Sequence, residues 1–74
     1  MNADALRGLV NHDPFQPFTL RLNDGRKIRV PHRSFITISK DGRTFTTFGG
    51  TGSCDTIEVI LVAGCQVDDG TTIN

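Results

Sequence analysis

The chain has no tryptophan and no tyrosine, and its only aromatic rings are five phenylalanines. It therefore lacks the polar-tipped rings that commonly form a stacking platform for bases or ligands. Cysteine is scarce as well: Cys54 and Cys65 are the only two, too few for the disulfide framework of a secreted mini-protein. With His12 and His32 they make no C-x-x-C or H-x-x-x-H spacing, so no metal site is written locally and none is expected. Long apolar runs are missing; the longest, Val59 to Ala63, falls far short of the ~20 residues a membrane span needs. The opening residues Met1, Asn2, Ala3 and Asp4 carry neither the basic start nor the apolar core of a signal peptide. The expectation is a cytoplasmic protein with free thiols and no membrane partner. Net charge is also absent, with eight cationic and eight anionic side chains and a sequence pI near 6.7, well below that of typical nucleic-acid modules.

Seventy-four residues suffice for one core, so residues 1–74 are read as a single domain. A chain this short buries only ~60% of the surface it exposes when unfolded, which makes self-association an expected source of extra stability. The zero net charge hides an uneven layout: residues 1–20 sum to −1, residues 21–33 to +4 and residues 34–74 to −3. A cationic segment thus faces an acidic remainder, with Glu58, Asp68 and Asp69 as its candidate acidic edge.

Residues 1–13 read as a short N-terminal helix. Asn2 can cap it, Asp4 suits its positive end, and Leu6, Leu9 and Val10 fall on one face. Pro14 disfavours helix at Asp13, so the helix ends near Asn11 or His12. Pro14 and Pro17 then hold an extended connector in which Phe15 and Phe18 are core rings. From Phe18 the period becomes two. Leu20 and Leu22 point inward with Ile28 and Val30, while Arg21, Lys27 and Arg29 point outward across an Asn23-Asp24-Gly25 turn. Pro31 marks a bend or an edge. A second hairpin follows, with Ile36 and Ile38 before an Asp41-Gly42 turn and a return strand from Arg43 to Phe48; the spacing of Phe45 and Phe48 predicts a bulge or one exposed ring. GGTGSCD reads as a glycine-rich connection. In TIEVILVAGCQV, alternation of Ile57, Val59 and Leu61 predicts one continuous strand, interrupted at Gly64 before a last short strand through Val67. Residues 70–74 have no pattern and are read as a frayed tail.

One helix and strands joined by hairpins cannot cover both faces of a flat sheet at this size, whereas a curled sheet buries one face and removes most of its free edge. The fold class expected is mostly β: a small SH3-like or Sm-like five-stranded barrel with a short N-terminal helix. Pro14, Phe15, Pro17, Phe18, Leu20, Leu22, Asp24, Gly25, Arg26, Val30, His32 and Phe35 together resemble a family of short bacterial proteins. Its pattern is a helix, PF-x-PF, an alternating strand ending in DGR, and V-x-H-P-E-F. Arg33 and Ser34 stand where that family has proline and glutamate. The resemblance implies a fold and no activity. LRLNDGR and ILVAGCQV are similar to segments of Sm-like RNA-binding proteins, although Ala63 replaces the arginine expected before Gly64, and HRSFITIS lacks the base-holding aspartate and asparagine.

The candidate site is the cationic hairpin: Arg21, Lys27 and Arg29 on one face, Arg26 at the turn and Arg33 beyond Pro31. Like charges on paired strands repel, so this face calls for an acid or an anion. The favoured reading is a non-enzymatic interaction module that binds a protein partner or a second copy through the hairpin; the alternative is single-stranded RNA held at its phosphates by the same residues. GGTGSCD lacks the lysine and following helix of a phosphate loop, and Asp68 with Asp69 lacks the further oxygens of a calcium loop. No cofactor and no small-molecule substrate are indicated, and no nucleophile, base and acid are set at a catalytic spacing.

Overall fold

The computed structural model describes residues 1–49, 54–68, 70, 72 and 73. Helix α1 spans Ala3–Val10 and begins where its chemistry says: the Asn2 side chain accepts the Ala5 N–H at 2.8 Å, and Asp4 lies in the first turn. Its face is narrow. Leu6 is fully buried, while Leu9 and Val10 are half-buried against the core. The helix is three residues shorter at its C-terminal end than the 1–13 block read from sequence.

The strands are β1 (Phe18–Leu22), β2 (Lys27–Val30), β3 (Ile36–Ile38), β4 (Thr44–Phe48), β5 (Cys54–Glu58), β6 (Val62–Val67) and β7 (Thr72–Ile73). They form two antiparallel sheets. One has the order β2-β1-β6, lengthened at its edge by the two-residue β7; the other has the order β3-β4-β5. The chain changes sheet twice, each time through a 3-10 turn: Arg33–Phe35 after Pro31, and Val59–Leu61 after β5. Alternation in the first hairpin holds as read, with Phe18, Leu20, Leu22 and Val30 buried and Ile28 half-buried. The cross-strand partners are Thr19 with Arg29 and Arg21 with Lys27. In β4, Phe45 is buried and Phe48 is 42% exposed within a regular register, so the exposed-ring alternative applies and there is no bulge.

Three expectations need correction. The segment from Ile57 to Leu61 is not one strand, because Val59–Leu61 turns as a 3-10 helix. Gly64 does not interrupt the last strand; β6 runs through it, and the irregularity is a register shift in which Arg21 pairs with Gly64 and Leu22 with Val62. That shift absorbs Ala63 and leaves Gly64 and Cys65 both buried. The tail also contributes, since Thr72 and Ile73 pair with Gln66 and Cys65. The glycine-rich connection at 50–53 and Asp69 lie outside the described residues.

One hydrophobic cluster serves both sheets. Leu20, Val62 and Cys65 from the first sheet meet Ile36, Phe45 and Ile57 from the second, with Leu6 covering one end and Val59 filling beneath the second 3-10 turn. Each of the two D-G-R turns is held by its own aspartate: Asp24 accepts the Arg26 N–H and Asp41 accepts the Arg43 N–H, both at 3.0 Å. Helix α1 packs on β3, and its Arg7 guanidinium reaches the Ser39 and Lys40 carbonyls beside the second turn.

Candidate functional site

The five cations of the sequence-defined site do not stand together as one bare patch. Arg29 projects from β2 and grips Asp68 in a two-pronged contact, Nη1 to Oδ1 at 2.5 Å and Nη2 to Oδ2 at 2.7 Å. This hydrogen bonding lowers the Asp68 carboxyl below its ordinary pKa and raises the Arg29 guanidinium. Arg26 turns back on Asp24, Nε to Oδ2 at 2.7 Å. The Asp24 carboxyl is lowered first by the Arg26 backbone N–H and then by the guanidinium.

Arg33 serves the fold rather than the hairpin. Its Nε donates to the Val10 carbonyl at 2.8 Å and its Nη2 to the His12 carbonyl at 2.7 Å, at the end of α1 where carbonyls lack intrahelical partners. The same guanidinium lies over the Phe15 ring, 5.6 Å from its centre. Phe15 in turn packs 5.8 Å from the Phe18 ring.

Arg21 is half-buried on β1, opposite Lys27 on one side and Gly64 on the other. Its charge also reaches the Cys65 thiol, but burial dominates there and pushes that thiol up to about 11. Lys27 is exposed and has no partner among the described residues. The hairpin face is therefore mixed in sign, with carboxylates of Asp24 and Asp68 set among its cations. The acidic edge expected from Glu58 and Asp68 is divided: Glu58 ends β5 in the second sheet, whereas Asp68 follows β6 in the first and is engaged by Arg29.

The other reactive side chains have local structural partners. His32 caps the first 3-10 turn, where its Nδ1 accepts the Ser34 N–H at 3.3 Å. His12 Nδ1 lies 2.8 Å from the Pro14 carbonyl. Cys54 is exposed at the start of β5, opposite Phe48. Among the described residues no group of three His, Cys, Asp or Glu side chains converges as a metal site, and no helix is long and apolar enough to cross a membrane.

Two hollows flank the second 3-10 turn, and each is reached by one residue named from the sequence, Glu58 at the larger and Arg26 at the smaller. The larger, about 500 Å³, lies between the start of α1, the Gly42 turn and Glu58 to Ile60. The smaller, about 250 Å³, is bounded by Leu22, Asn23, Asp24, Arg26 and Leu61. Neither is lined by His12, His32 or Cys54. A signal for this region was present in the sequence. Four consecutive apolar residues, Val59 to Val62, cannot all face one core from a strand whose side chains alternate.

No protein-family model, characterised protein or solved structure matches this chain.

Proposed function

We propose that the chain is a small non-enzymatic interaction module that docks onto a protein surface, a partner's or that of another copy, along the basic hairpin. The observation that carries this reading is the mixed charge of the hairpin face. The Arg29–Asp68 and Arg26–Asp24 pairs place carboxylates beside the cations, an arrangement suited to the alternating charges of a protein surface. It suits a polyphosphate less, because each phosphate entering the face also meets Asp24 or Asp68. β2 is the outermost strand of its sheet, so its free backbone edge and Lys27 are offered together. Two short sheets around one core, joined by bends at Pro31 and at Val59–Leu61, support the further reading of a sheet curled into an SH3-like small barrel. The resemblance to the PF-x-PF family of short bacterial proteins accords with that architecture.

The test is sedimentation at low and high salt alongside a gel-shift titration with single-stranded RNA, each on the native chain and on Lys27→Glu. The expected outcome is an average mass that rises at low salt and unretarded RNA. Lys27→Glu should weaken the low-salt association by about two- to tenfold, the scale of one exposed charge contact. RNA retarded by the native chain and released by Lys27→Glu would transfer the hairpin to nucleic acid. A low-salt mass identical in the native chain and the variant would remove the hairpin from docking altogether.

A further inference from the structure

The charges that the described strands carry divide by whether something already holds them. Arg29 is gripped by Asp68, and Arg21 is engaged as well. Three others have no hydrogen-bond or ion-pair partner among the described residues: Lys27 on β2, and Asp55 and Glu58 on β5. The two strands are alike in place and opposite in sign. Each is the outermost strand of its sheet, unpaired along one side, and all three side chains are exposed. β3, at the other side of the second sheet, bears no charge and has α1 packed on it.

The ladders decide which backbone groups these two edges offer. The Leu22 N–H donates to the Arg26 carbonyl and the Val59 N–H to the Arg43 carbonyl, each at 2.8 Å. In an antiparallel pair, residues that bond inward alternate with residues whose N–H and C=O point away. On β2, Ile28 therefore bonds to β1 while Lys27 and Arg29 present their backbone groups outward. On β5, Ile57 bonds to β4 while Thr56 and Glu58 present theirs. Laid antiparallel, the two edges fit in one register, with Lys27 opposite Glu58, Ile28 opposite Ile57 and Arg29 opposite Thr56. Directly opposed residues share a face, so an unpaired cation meets an unpaired carboxylate on the wet side and the isoleucines continue the dry side. Pro31 has no N–H and ends the ladder. Two β2 edges brought together would instead gather cations, and two β5 edges carboxylates.

We infer that the surface met by the hairpin is the β5 edge of a second copy: β2 of one chain adds antiparallel to β5 of another, with Lys27 facing Glu58 across the seam. This rests on the reading of the chain as an interaction module and names the partner of its hairpin. Asp55 lies beside the same seam, opposite Val30, and its charge adds to the field that draws the cationic strand in. The charges that select β5 over other edges are exposed and therefore screened by salt. Association through this seam weakens as salt rises.

The test is low-salt sedimentation of Lys27→Glu, of Glu58→Lys and of their mixture, with folding checked by circular dichroism, alongside amide exchange of the native chain at rising concentration. Each variant alone sets like charges across the seam and should associate about two- to tenfold more weakly than the native chain. The equimolar mixture should be heavier than either variant alone, because Glu58 of one then meets Lys27 of the other and the reversed pair meets as well. In the native chain the Lys27, Arg29, Thr56 and Glu58 amides should gain protection as concentration rises. Association that is weakened by Lys27→Glu but indifferent to Glu58→Lys overturns the inference and leaves the hairpin docking on another surface. A mixture no heavier than its parts, or Thr56 and Glu58 amides that gain no protection, overturns it equally. A native chain that is monomeric at every concentration at low salt overturns both this seam and self-docking through the hairpin.

Discussion

Gly25 and Gly42 occupy the same place in two turns of the same sequence type, and the surroundings of one make it far less replaceable. Both have positive φ, +91° at Gly25 and +73° at Gly42, a backbone region in which a side chain costs roughly 1 kcal/mol or more. Around Gly25 there is open space. At Gly42 an added Cβ would lie 2.8 Å from the Ala3 Cβ and 3.2 Å from the Arg7 guanidinium, so α1 would have to lift. Gly25→Ala should therefore lower the unfolding free energy by about 1 kcal/mol, and Gly42→Ala by about 2–4 kcal/mol once overpacking is added. Urea denaturation of the two variants measures the difference. Equal losses would mean that the helix does not rest on the turn as the distances require. Arg33 makes the same point from another position. A cation that its place in sequence assigns to the binding hairpin holds the Val10 and His12 carbonyls instead.

The elements most legible in the sequence were those with one wet face and one dry face. From Phe18 to Val30 a one-residue slip would expose Leu20 and Leu22, so alternation determines register; likewise the Asn2 cap is legible because its bond reaches only to Ala5. The Val59–Leu61 turn was overlooked, because the alternation of Ile57, Val59 and Leu61 fits a strand even though the unbroken apolar run around them does not fit one with a single dry face. The Arg29–Asp68 contact was hidden for another reason: its partners lie on separate strands and meet only when β6 pairs with β1. The candidate site was therefore half legible: its cations were found and Asp68 was named within the acidic edge, but the one-to-one pairings of Arg29 with Asp68 and of Arg26 with Asp24 were missed. Those carboxylates have a measurable consequence. Asp24 is held below its ordinary pKa first by the Arg26 backbone N–H, Asp41 first by the Ser39 hydroxyl, and Asp68 first by Arg29. A depressed folded pKa means that in acid the unfolded chain binds more protons. Stability from these groups is present above the unfolded carboxylate range and is lost as pH falls through the folded values. The urea midpoint should hold down to about pH 5 and fall below about pH 4. Asp41→Asn, which keeps an acceptor without the titration, should flatten part of that fall; an acid limb unchanged in the variant would show that the turn carboxylate does not contribute.

At the scale of the whole molecule, a single core that draws on the helix, both sheets and the second 3-10 turn leaves no part able to open without uncovering the rest. Cys65 reports on that directly, being fully buried in the cluster while Cys54 is exposed. A thiol reagent should count one prompt thiol per native chain, and the second should appear along the urea transition with the same midpoint as the loss of β-sheet circular dichroism, as one cooperative transition requires. Cys65 labelled at lower urea would show the β2-β1-β6 sheet opening ahead of the rest. The same residue sets the alkaline side. Burial raises its thiol from 9.0 to about 11, so between those values the unfolded chain releases a proton that the folded chain keeps. Stability is whole below the unfolded pKa and declines as pH rises through this window. Cys65→Ala should be less stable at neutral pH because it leaves a small cavity, yet lose less of what remains between about pH 9 and pH 11. A variant that keeps the native alkaline slope would assign that slope to groups other than the buried thiol.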